Sequence, residues 1–184
     1  FVGLFFLVSC FSTTKPSNFY NIISMVDGNN IVKNIRKLNI AVDIVNIPDY
    51  INRPQIVTFK YDEMNLRVSE MNRWVEPLGK SMQRVIADNM SFYLKNSAVT
   101  PLNSNRSNFN YVVSIEVNKL YGSFNGKVLM DTWWTIADRN NNLVAREKTT
   151  LEIEVGDTYE DLVKKHSILI NELSIEIAKK IGSL

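Results

Sequence analysis

Tyr111-Val112-Val113-Ser114-Ile115-Glu116-Val117, followed by Phe124-Asn125-Gly126-Lys127-Val128, is the stretch that decides the fold. Tyr111, Val113, Ile115, Val117 and Tyr121 recur at period 2, which puts them on one face of a strand. Asn125-Gly126 is the dipeptide of a two-residue hairpin, in which both central residues take positive φ. Val128, Met130, Trp134 and Ile136 share one face of the return strand. After a longer turn at residues 138–142, Leu143, Ala145, Leu151, Ile153 and Val155 alternate with Arg146, Lys148, Glu152 and Glu154. The pattern describes a three-stranded meander with one apolar face, and that face must be covered.

Two amphipathic helices are placed to cover it. Gly156-Asp157 breaks the sheet, and Thr158 is a good N-cap, with Glu160 and Asp161 facing the positive end of the helix dipole. Leu162, Leu169, Ile170, Leu173, Ile177 and Ile181 then form an apolar stripe, and Lys179 and Lys180 suit the last turn. Earlier, Pro77 fits a first helical turn, where no backbone N–H partner is lost. Leu78, Met82, Val85, Ile86, Met90, Tyr93 and Leu94 follow at helical spacing. Upstream, strands are expected at residues 19–26, at 38–45 with Leu38, Ile40, Val42 and Ile44 on one face, at 56–61 and at 66–69. Residues 96–108 read as a polar connection. The sequence therefore predicts an α+β fold: a two-layer sandwich, its sheet mixed or antiparallel, with both helices on one face.

The N-terminus speaks to location. Residues 1–8 are almost unbroken apolar, and they end in Leu7-Val8-Ser9-Cys10. A run this short cannot span a bilayer, which needs about 20 apolar residues. Closed by small residues, it has the pattern of a secretory signal peptide. A cysteine just after the cleavage site resembles a bacterial lipobox, in which the thiol of Cys10 is acylated and becomes the new N-terminus. The expected organisation is a signal-peptide h-region and lipobox at 1–9 with its n-region missing, a lipidated tether at 10–18, and a single α+β domain at 19–184. Cys10 is the one cysteine in the 184 residues, so no disulfide can form within the mature chain. The net charge of +2 and pI of about 8.6 give no bulk electrostatic case for nucleic acid.

Candidate chemistry is sparse. His166 is the single histidine and lies on the apolar stripe of the last helix, so it reads as a core residue rather than a metal ligand or triad member. Glu152 and Glu154 share a strand face, as paired catalytic carboxylates do, but beside Arg146 and Lys148 they read as a solvated charged surface. No phosphate-binding glycine loop is present in the sequence. No catalytic residue, metal or cofactor is therefore expected. The candidates left are those of an interface. Trp133 and Trp134 face opposite ways on a strand, so one can join the core while the other meets solvent or a partner. Arg73 and Trp74 stand just before the first helix, off its apolar stripe, as interface residues or as a cap on the edge of the core.

Several short segments, taken in order, carry a resemblance. They are Ile47-Pro48-Asp49-Tyr50, Arg53-Pro54-Gln55-Ile56-Val57, Arg73-Trp74 with Glu76-Pro77-Leu78, the Phe124–Val128 hairpin, and Thr158-Tyr159 at a helix start. Together with the lipobox they resemble the PqiC-like family, the auxiliary lipoprotein component of ABC-type lipid transport systems. The resemblance spans essentially the whole mature chain. It implies a non-enzymatic, membrane-integrity-associated subunit that faces the periplasm, works with an MCE-domain protein and assembles as a homo-oligomeric ring. It implies a lipid anchor in the cell envelope, and Phe11, in place of a retaining Asp, is compatible with the outer membrane. Of defined positions, it carries over Cys10 alone. The rival readings are another envelope assembly lipoprotein, such as a lipopolysaccharide or pilus assembly factor, and a lipid-anchored hydrolase.

Overall fold

The computed structural model describes residues 16–32, 36–60, 64–103 and 105–184. Strands β1 (Asn18–Tyr20), β2 (Asn39–Val42), β3 (Gln55–Phe59) and β4 (Leu66–Trp74) precede helix α1 (Leu78–Tyr93). Strand β5 (Ala98–Pro101) leads to the meander β6 (Tyr111–Gly122), β7 (Lys127–Asp138) and β8 (Leu143–Glu154), and helix α2 (Tyr159–Gly182) closes the order. The strands form two sheets, β1-β4-β3 and β5-β2-β6-β7-β8. The architecture is the expected mixed α+β, with two helices packed on the strands. The antiparallel meander is extended by β2, which runs parallel to both β6 and β5.

The meander supplies the floor of the core. Val113, Ile115 and Val117 of β6 and Val128, Met130, Trp134 and Ile136 of β7 all point inward and are buried. Against them pack Met82, Ile86 and Met90 of α1 and Leu162, Leu169, Ile170, Leu173 and Ile177 of α2. Thr158 caps α2 as its sequence predicts: its hydroxyl accepts from the Asp161 N–H at 3.1 Å, and the Asp161 carboxylate accepts from the Gly156 N–H at 2.7 Å. At the start of α1 the chain runs very close to its neighbour. A Cβ on Gly79 would lie 2.6 Å from the Val45 carbonyl oxygen, so only glycine lets that first turn seat.

Irregularities in the ladders move several side chains from their expected places. The β6–β7 register shifts between Val117 and Lys119, which reverses the alternation beyond it. Leu120 takes the core place instead, and Tyr121 turns to pack against Phe59 of β3, the ring planes tilted by 51° and the centroids 4.3 Å apart. A second shift lies between Ile136 and Ala137, and Leu143, before it, is exposed. Ile44 is also exposed, because β2 ends at Val42 and the Asp43 side chain accepts from the Ile44 N–H instead of extending the strand. The hairpin turn differs too. Asn125 has φ 56°, but Gly126 is not in the positive-φ region and closes the turn by donating its N–H to the Ser123 carbonyl at 3.0 Å.

The N-terminal part departs furthest. Of the expected 19–26 strand only residues 19 and 20 enter a ladder, in β1. Beyond them the chain becomes a strap over the two helices, held by their side chains. The Ile23 N–H donates to Ser167 Oγ of α2, Ser24 Oγ donates to Asn89 Oδ1 of α1, and the Asp27 N–H donates to the Tyr93 hydroxyl. Within the expected polar connection, residues 98–101 form β5, a parallel edge strand where Pro101 is tolerated.

Positive φ at Asn125 makes a testable demand. A β-branched residue there is strained, so Asn125→Val should lower stability by about 1–3 kcal/mol, whereas Asn125→Gly should leave it near wild type. Urea denaturation midpoints for the two variants check this.

Candidate functional site

The family-like segments, scattered along the chain, converge in space. The Asn52–Arg53–Pro54 turn lies against the end of β4, where the Trp74 N–H donates to the Pro54 carbonyl at 2.7 Å. Trp74, Val75, Glu76 and Pro77 form the opposite wall of a cavity of about 310 Å³. Its rim is polar at Arg53 and at Glu76, which pairs with Arg84 at 2.5 Å. A second convergence joins the hairpin to α2: the Phe124 and Tyr159 rings meet edge to face at 4.9 Å, and the Asn125 N–H donates to the Gly156 carbonyl.

Trp74 itself belongs to the core. It is 7% exposed, and its ring meets His166 of α2 edge to face at 6.0 Å. Of its two expected roles, this packing fits the cap on the edge of the core, with only a small part of the residue open to the 310 Å³ cavity. Arg73, its neighbour, faces the other way and is half-buried. Its Nε is buried with no hydrogen-bond partner among the described residues. Trp134 is fully buried as well. Its indole N–H donates to Thr149 Oγ1 at 3.0 Å, and that hydroxyl donates onward to Glu176 Oε2 at 2.5 Å. This chain of hydrogen bonds satisfies the indole, ties α2 to β8, and removes Trp134 from the interface candidates.

Trp133 remains. It lies on the outer face of the sheet, with the Arg146 guanidinium stacked 4.9 Å from its ring centroid. A cavity of about 450 Å³ opens beside it, lined also by Asp43, Arg106, Glu116 and Thr135. Arg106 pairs with Asp43 there. Further along the same face Asp131 sits between Lys148 at 2.7 Å, Asn118 Nδ2 at 2.7 Å and Thr150 Oγ1 at 3.1 Å. Burial raises the Asp131 pKa, but these hydrogen bonds and the Lys148 charge outweigh it and hold the carboxyl below its ordinary value. Glu152 pairs with Lys127 at 2.6 Å on an exposed strand, so it and Glu154 belong to a charged outer surface.

His166 is 3% exposed, with Nδ1 2.7 Å from the Leu162 carbonyl oxygen, so the neutral ring donates that N–H to the helix. Burial pulls its pKa from 6.5 down to about 4, and the Leu162 bond only partly offsets this. A ring so buried and so weakly basic is unsuited to proton transfer near neutral pH. Among the described residues, no group of three or more His, Cys, Asp or Glu is placed to hold a metal ion, and no helix is long and apolar enough to cross a membrane. Cys10 lies outside the described residues.

The model of the ABC-type transport auxiliary lipoprotein component family matches residues 20–178. The chain belongs to that family. No curated protein sequence matches it. As an auxiliary lipoprotein of an ABC-type transport system, it has a fold that recurs among solved structures, two of which are similar over most of its length. One is an uncharacterized protein at 21% identity and TM-score 0.74, matched over 91% of this chain and 99% of the other. The second, from Xanthomonas campestris, is 12% identical with TM-score 0.71 over 88% and 93%. A PelC dodecamer from Paraburkholderia phytofirmans is more distant, at 16% identity and TM-score 0.47 over 77% and 88%. Membership in the auxiliary lipoprotein family implies a lipid-anchored location in the envelope and a supporting, non-catalytic role.

Two outcomes follow from the buried pair. Trp74→Ala removes a packed indole, so it should cost about 3–5 kcal/mol and lower the melting temperature. The His166 pKa is depressed in the folded state, so the unfolded chain binds the extra proton between pH 6.5 and about 4. Stability is full above that window and falls on acidification through it, by up to about 3 kcal/mol. Calorimetry across the window should give a flatter profile for His166→Phe, which keeps an aromatic ring against Trp74.

Proposed function

We propose that this chain is a non-enzymatic, lipid-anchored subunit of an ABC/MCE-type lipid transport system of the cell envelope. The family match over residues 20–178 carries this reading. Acylation of Cys10 fixes the protein to a leaflet, and Phe11, in place of a retaining Asp, is compatible with the periplasmic face of the outer membrane. The fold supplies a rigid platform, and an MCE-domain protein is its partner. The outer face of the meander supports a docking role: Trp133 and Arg146 present a preformed aromatic–cation pair of the kind enriched at interface hot spots. Several copies form a ring around the partner in this reading, which supports membrane integrity by keeping the lipid path closed at its end.

The test has two arms. Cys10→Ala should leave the precursor uncleaved at this site and abolish anchoring through a lipidated N-terminus, read by mass spectrometry of the membrane fraction. Trp133→Ala should leave the melting temperature nearly unchanged but weaken capture of the MCE protein by about thirtyfold, the loss of a hot spot of about 2 kcal/mol. Equal capture by wild type and variant would remove this face from the proposal.

A further inference from the structure

Burial alternates from Phe19 to Ile23, through the end of β1 and into the strap. Tyr20 and Ile22 turn inward, and Phe19, Asn21 and Ile23 face solvent. Phe19 is 64% exposed and Ile23 53%, which is unusual for large apolar side chains so near each other. The neighbouring strand adds to them. Phe19 is in register with Arg73, Tyr20 with Trp74, and the Val75 N–H donates to the Tyr20 carbonyl, so Val75 continues the same outward row beyond Arg73. Val75 is 56% exposed. It also lines the 310 Å³ cavity with Arg53. The outcome is an apolar patch with two guanidinium groups at its side, while the nearby Glu76 carboxylate is taken up by Arg84.

The position of this patch decides what can cover it. Cys10 precedes Pro16, the first described residue, by six positions. Six extended residues reach at most about 20 Å. A chain of this size folds to a body of about 40 Å across, from a radius of gyration of about 16 Å. With Cys10 acylated, the tether is too short to turn the far side of the body to the membrane. The surface around β1 is the one held near the leaflet. Apolar side chains flanked by cations suit that place, where rings and aliphatic groups enter the headgroup boundary and guanidiniums meet anionic lipids.

We propose that the Phe19–Ile23–Val75 patch, with Arg53 and Arg73 beside it, rests on the surface of the leaflet that holds the lipid anchor. The anchor supplies attachment and the patch supplies orientation. This rests on the reading of Cys10 as acylated.

The experiment uses the full lipidated chain in vesicles of phosphatidylethanolamine and phosphatidylglycerol. With Cys10 acylated, a cysteine introduced elsewhere is the one free thiol. Phe19→Cys, Val75→Cys and, as an exposed control on β8, Leu143→Cys are each labelled with an environment-sensitive fluorophore. Doxyl-labelled lipid should quench the labels at 19 and 75 severalfold more than the label at 143. Equal quenching at all three positions on vesicle-bound protein overturns the patch and leaves the anchor standing. Labels at 19 and 75 that are blue-shifted yet insensitive to doxyl lipid also overturn it, since another protein surface then covers them. Protein that stays off the vesicles, with Cys10 itself open to labelling, overturns the anchor and the patch together.

Discussion

A dry inner face on the meander is the constraint to which the other elements answer. β6, β7 and β8 are each 12 residues long, which gives a sheet about 40 Å in extent at about 3.3 Å per residue. A helix of average length would leave half of that uncovered. α2 runs 24 residues, about 36 Å at 1.5 Å per residue, and so matches the sheet it protects. α1 covers the remaining width and adjoins the parallel strands β2 and β5. Gly79 belongs to the same requirement, since only without a Cβ can the first turn of α1 close against Val45.

The two helices meet partly through polar groups. Tyr93 donates its hydroxyl to Asn171 at 3.0 Å, and Asn89 Nδ2 donates to Ser174 Oγ at 3.3 Å, all buried. Each group would cost free energy if left alone in that setting. They satisfy one another, and Asn89 and Tyr93 also take up the backbone or side chains of the strap at residues 23–27. The seam therefore specifies how the helices align and gives the N-terminal segment a place to lie without a strand partner.

Long periodic segments were legible in the sequence because burial alone dictates them. The meander, both helices and the Thr158 cap follow from alternation, the helical stripe and dipole chemistry. The misplaced residues share a different cause. Tyr121, Leu143 and Ile44 sit beyond ladder shifts or strand ends, and period 2 carries no signal of where one extra residue is inserted. β5 was hidden because its pairing with β2 is set by tertiary position rather than by its own pattern. At the candidate site, the opposed faces of Trp133 and Trp134 could be read from adjacency. Which of the two lies inward depended on the register of β7 against β6, and the fate of Trp74 depended on His166, distant in sequence.

The strap has a mechanical meaning. A pull on the N-terminus falls first on β1, whose ladder to β4 spans three residue pairs, and next on the hydroxyl and amide contacts of residues 23–27. Each of those contacts ends on α1 or α2, so the load passes next to the seam between the two helices. Beyond β1 the N-terminal segment is thus hitched to the helices rather than to the sheet, with Ile22 buried in the core as its anchor.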